Sequence, residues 1–108
     1  MSGFGEREKD FESKYAYEEK MGFKIDARAT KLFGLWAAEK MGLSQAEAAT
    51  YAIDVVSAKL EGAGFEGALK KVSSDLGKKS IDISAHLLQV ELDRCREEAR
   101  DQILNEGQ

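Results

Sequence analysis

Proline is absent from the 108 residues. Without proline a chain has no obligate helix break, which favours long helices. Cysteine occurs once, as Cys95, so no internal disulfide can form and nothing points to an oxidising compartment. Histidine also occurs once, as His86, which excludes a Cys/His zinc cluster. His86 has no partners spaced for proton transfer and reads as a surface residue near a helix start. No apolar run approaches the roughly 20 residues that span a bilayer. Charge begins at Glu6, so the start lacks the apolar core of a signal peptide, and a cytoplasmic location is expected. Basic excess is missing too. The net charge of −4 excludes a nucleic-acid footprint and a polybasic membrane patch, leaving Lys70-Lys71 and Lys78-Lys79 as solvated pairs.

What remains is a balance of 43% hydrophobic and 33% charged residues, suited to one domain with a modest core and a heavily solvated surface. From about Lys20, Met21, Ile25, Ala29, Leu32, Phe33 and Trp36 recur at three- and four-residue steps and predict one long amphipathic helix, closed near Gly42 by a left-handed cap. Trp36 falls on its apolar face and reads as core packing. Ser44 and Glu47 form a capping-box signature for a second helix, with Ala49, Ala52, Ile53, Val56 and Leu60 on its packed face. After Glu61-Gly62-Ala63-Gly64, a third helix carries Phe65, Ala68, Leu69, Val72 and Leu76. Gly77-Lys78-Lys79-Ser80 reads as a loop. Ser84 then caps a fourth helix striped by Leu88, Leu92, Cys95, Ala99 and Ile103. No segment alternates with period two. Four amphipathic helices on short loops predict an all-α four-helix bundle.

Motifs of catalysis fail on context. Gly62-Ala63-Gly64-Phe65-Glu66-Gly67 matches a dinucleotide fingerprint by letters, but that chemistry needs a preceding strand to aim backbone N–H groups at a pyrophosphate, and a helical pattern precedes it here. Gly77-Lys78-Lys79-Ser80 lacks the upstream glycine of a phosphate-binding loop. Adjacent carboxylates such as Glu18-Glu19 and Glu97-Glu98 diverge by about 100° on a helix and read as solvated faces. Cys95 sits on an apolar stripe and reads as a small hydrophobe. A catalytic or metal role is not expected.

The first twenty residues differ from the rest. They hold no Leu, Ile or Val, yet carry Phe4, Phe11, Tyr15 and Tyr17 among ten charged side chains. Helical spacing would align Phe4, Phe11 and Tyr15 on one face. Alone, so narrow a stripe cannot offset the entropy of ordering, so residues 1–19 are expected to form a mobile, partly disordered arm beside a four-helix domain of residues 20–108. A polar segment with spaced aromatics suits a helix that folds into a partner's groove.

Two stretches carry a family resemblance. One is Phe4-Gly5-Glu6-Arg7-Glu8-Lys9-Asp10-Phe11-Glu12-Ser13-Lys14-Tyr15. The other runs from Phe23-Lys24 through Ala27-Arg28 to Lys31-Leu32-Phe33-Gly34-Leu35-Trp36-Ala37-Ala38-Glu39, followed by Gly42-Leu43. Together they resemble the zeta subunit family of α-proteobacterial F-type ATP synthases, over essentially the whole chain, with Gly34 to Glu39 the most specific block. The resemblance implies a four-helix domain whose N-terminal arm enters the catalytic head of the synthase as a helix, blocking rotation in the hydrolytic direction while permitting synthesis. By position, the partner contacts would fall on Phe4, Arg7, Glu8, Phe11, Glu12, Lys14 and Tyr15. It further implies a regulatory inhibitor, monomeric when free, held at the inner face of the plasma membrane through the synthase. Weak ATP or ADP binding on the folded domain is also implied, without assignable residues. Gly5, Asp10, Ser13 and Tyr17 depart from the family pattern. They lower helix propensity by about 1–2 kcal/mol together, which predicts weaker inhibition. A helical domain that senses a nucleotide or metabolite, with little effect on ATP hydrolysis, is the competing expectation.

Overall fold

A computed structural model describes the backbone of residues 2–62 and 64–106 and the side chains of residues 19–62 and 64–106. Four helices account for nearly all of it: α1 (Ser2–Lys40), α2 (Gln45–Glu61), α3 (Phe65–Lys78) and α4 (Ala85–Glu106). No strand occurs among the described residues. The all-α four-helix expectation holds.

α1 is the spine. α2 and α4 both pack along it, and α3 bridges α2 and the C-terminal part of α1. Among the described residues, α2 and α4 make no close backbone approach to each other. The core forms where the four meet, around Phe33, Ala37, Val55, Ala68, Val72, Leu76, Leu88, Leu92 and Cys95. Each large apolar side chain buried there contributes about 1.5–3 kcal/mol. Trp36 is half-buried against this cluster and stacks on Phe33, ring centroids 5.8 Å apart. The α4 stripe is as expected: Leu88, Leu92, Cys95, Ala99 and Ile103 are all buried.

Helix ends follow local chemistry. Gly42 adopts a left-handed φ of 72°, and its N–H bonds Glu39 O while the Leu43 N–H reaches back to Ala38 O, closing α1. The Ser44–Glu47 capping box is reciprocal: Glu47 N donates to Ser44 Oγ and Ser44 N to Glu47 Oε1. Ser44 hydrogen bonding, led by its backbone N–H, holds the Glu47 carboxyl below its ordinary pKa. Ser84 caps α4 through Leu87 N. α3 ends differently from expectation. Gly77 and Lys78 remain helical, and the left-handed residue is Ser80, at φ 59°. The Ile81 N–H bonds Leu76 O and the Ser80 N–H bonds Gly77 O, so the tertiary pull of Ile81 into the core closes the helix without a glycine at the turn.

Two other expectations change. α1 begins at Ser2 instead of near Lys20. With no proline to stop it, the helical backbone continues through the charged segment into the amphipathic stretch. α2 is also rotated from the predicted face. Ala52 and Val55 are buried, whereas Ala49, Ile53 and Leu60 are exposed. Gly34 is the cause: a Cβ there would lie 2.8 Å from the Cα of Ala52 and 3.3 Å from the Val55 Cβ. The absent side chain lets α2 seat its small-residue face on α1, and the larger stripe turns outward.

Candidate functional site

The arm side chains Phe4, Arg7, Glu8, Phe11, Glu12, Lys14 and Tyr15 lie outside the described residues. Their backbone is part of α1. At about 1.5 Å per residue, the 39 residues of this helix extend roughly 58 Å. The molecule measures 66 × 26 × 21 Å, so the long axis follows α1.

Arg28 ties α1 to the last turns of α4. Its guanidinium donates to Gln102 Oε1 at 2.8 Å and forks onto Glu106, at 2.8 and 3.2 Å. All three groups belong to α1 or the last turns of α4. Arg28 holds the Glu106 carboxyl below its ordinary pKa, through the hydrogen bond first and charge second. Glu106 is exposed, so solvent screens the pair, which can orient two helix ends but does not hold the fold.

Beside this junction lies an open groove of about 470 Å³. Lys24, Ala27, Arg28 and Lys31 of α1 form one side, Ile53 and Val56 of α2 another, and Ile103 and Glu106 of α4 the third. It exists because α2 and α4 straddle α1 without meeting. Sequence reading missed this surface, since Ile53 and Val56 were assigned to the core. The available signal was the spacing of Lys20, Lys24 and Lys31, which recur on one helical face with no acid among them.

On the opposite flank, Tyr51 Oη donates to Asp75 Oδ2 at 2.8 Å, and Lys71 Nζ sits 3.1 Å from the same oxygen and 5.3 Å from the Tyr51 ring centroid. Burial, then the Asp75 bond, raises the Tyr51 pKa. Burial pushes Asp75 up, but Tyr51, Lys71 and Lys78 together outweigh it and hold its carboxyl low. Both shifts stabilise a neutral phenol bonded to a carboxylate, which is a helix-to-helix tie and a poor proton-transfer pair.

The other candidates have structural roles. Cys95 is buried, and burial pushes its thiol up to about 11, so it is an inert core residue. His86 is exposed in the first turn of α4. Of the glycines resembling a dinucleotide fingerprint, Gly62 and Gly67 serve helix packing and Gly64 takes a left-handed turn at φ 68°: a Cβ on Gly67 would lie 2.7 Å from Ala58 O, so glycine is what lets α3 start against the end of α2. No group of His, Cys, Asp or Glu side chains able to hold a metal ion occurs among the described residues. None of the described helices is long and apolar enough to cross a membrane.

A family model described as ATPase inhibitor subunit zeta matches residues 1–102. No curated protein matches the chain. The matched span takes in the charged aromatic segment, all of α1 to α3 and most of α4.

Proposed function

The chain belongs to the ATPase inhibitor subunit zeta family, and we propose that it restrains ATP hydrolysis by an F-type ATP synthase by inserting residues 1–19 as a helix into the catalytic head. The observation that carries this reading is the continuity of α1, which joins the aromatic-bearing segment to the bundle in one helix. Phe4, Phe11 and Tyr15 supply apolar anchors at i, i+7 and i+11. Arg7, Glu8, Glu12 and Lys14 supply charge around them, which is the pattern of a helix read by a groove. Inserted there, the helix stabilises one rotor position by binding it in preference to the others. The reading places the protein at the inner face of the plasma membrane through the synthase, and a regulatory inhibitor needs no catalytic residues of its own.

The test is hydrolysis by the cognate catalytic head in the presence of the intact chain, of a chain lacking residues 1–17, and of Phe11→Ala with Tyr15→Ala. The intact chain should slow hydrolysis. Truncation should abolish inhibition while circular dichroism still reports a folded helical domain, and the double substitution should weaken inhibition by about tenfold or more. Undiminished inhibition by the truncated chain overturns the mechanism.

A further inference from the structure

We propose that the groove between α2 and α4, over the Lys24–Lys31 stretch of α1, docks an acidic amphipathic helix on the surface of the catalytic head. The inference rests on the reading that the arm enters that head. Three observations carry it.

First, the fold leaves a large apolar stripe uncovered. Ile53 is 66% exposed, and Leu60, which shares its face at i+7, is 60% exposed. Phe23, one helical turn ahead of Ala27, is 61% exposed. Scattered apolar residues on a surface need no explanation, but Ile53 lines the groove itself, Leu60 extends its stripe along α2, and Phe23 directly precedes the groove residue Lys24 on α1, a grouping that suits an interaction site. Second, the charge on the groove is opposite to that of the molecule. The chain carries −4 overall, yet Lys20, Lys24 and Lys31 lie along one stripe of α1. Glu106 is the acid on the rim; Arg28 is hydrogen-bonded to it, and Lys24 lies near enough to act on it through charge alone. Lys24 and Lys31 form no ion pair among the described residues. An apolar floor under unpaired ammonium groups fits a segment whose apolar side chains are flanked by carboxylates. Third, the groove and the arm share α1. A surface that receives the arm is brought alongside Lys24 and Lys31 by the same helix, so docking here would set the direction in which the arm enters.

A helix is the fitting occupant. The groove is open along its length, unlike an enclosed small-molecule cavity. Ile53, Val56 and Leu60 span about 10 Å, which matches anchors at i, i+3 or i+4, and i+7 of a helix laid across them.

The experiment measures binding of the full chain to the cognate catalytic head at low and at physiological ionic strength, alongside the hydrolysis assay. One variant is Lys24→Glu with Lys31→Glu; the other is Ile53→Asp. These side chains are exposed, and circular dichroism checks that each variant folds. Charge reversal should weaken binding about tenfold or more at low salt, with the gap narrowing as salt rises. Ile53→Asp should weaken it by a similar factor at both. In both variants, inhibition at saturating protein should persist, because the arm is intact. Variants that bind as tightly as the native chain overturn the proposal. So does a native chain that self-associates through this face and is made monomeric by Ile53→Asp. A native chain that binds through the groove without slowing hydrolysis overturns the arm mechanism and leaves the groove standing.

Discussion

Tyr51 and Asp75 are separated by 24 positions in sequence and meet because α2 and α3 pack side by side. Each contributes stability at neutral pH that is lost at its own end of the pH range. Asp75 titrates lower in the fold than when unfolded, so its contribution is present above the ordinary carboxylate value of about 4 and is lost as pH falls through the depressed folded value. Tyr51 titrates higher in the fold. Its contribution is complete below about pH 10 and is lost as pH rises from there toward the folded value. Tyr51→Phe removes the titrating phenol and one of the donors that hold Asp75 ionised. It should cost about 1–2 kcal/mol at neutral pH, move the acid limb of unfolding upward, and flatten the decline above about pH 10. Urea unfolding across pH reads all three effects. Limbs superimposable on those of the native chain would show that the tie contributes nothing. Neither residue was legible as a partner in the sequence. A hydroxyl and a carboxylate on two helices carry no periodic signature, and only the packing angle of those helices joins them.

At the scale of the element, helix ends were easier to read than helix faces. The Gly42 cap, the Ser44–Glu47 box and the Ser84 cap depend on residues within a turn of each other, so the sequence shows both partners. The stripe of α4 was equally plain, because Leu88, Leu92, Cys95, Ala99 and Ile103 form its one unbroken apolar line, whereas Leu87, Val90 and Leu104 fall singly among polar residues. α2 was not, since apolar residues occur nearly all round it, and the face it buries is chosen by Gly34 on another helix. The two left-handed caps allow a matched test. Gly42 and Ser80 close α1 and α3 with the same pair of backbone bonds, but only one is glycine. A side chain in that conformation costs about 1–2 kcal/mol. Ser80→Gly should therefore stabilise the fold by about 1 kcal/mol, and Gly42→Ala should destabilise it by a similar amount. Thermal melts of the two variants decide this. Equal signs for the two substitutions would mean that the turns are not held by the backbone pattern described.

For the whole molecule, the question is how a bundle governs a segment that lies beyond it. The candidate arm was legible as a compositional break, but its helical connection to the body was not, because the residues between are polar and carry little of the apolar pattern from which a helix is read. In the structure the connection is α1 itself. Gly22 lies inside it, just ahead of the first groove residue, and a Cβ there would meet nothing within 4 Å. The position can therefore be altered without disturbing the core. Gly22→Ala should favour the helix by about 1 kcal/mol. Gly22→Pro removes one backbone hydrogen bond and clashes with the preceding turn, at a cost of about 3 kcal/mol to helix continuity. If α1 transmits the orientation of the bundle to the arm, Gly22→Ala should tighten inhibition of hydrolysis several-fold. Gly22→Pro should weaken it at least tenfold, while the thermal midpoint of the bundle moves little. The pair separates an oriented arm from a tethered one. A flexible tether would lose nothing at a proline, and inhibition by Gly22→Pro at the native level would show that the arm finds its site without guidance from the helix that bears it.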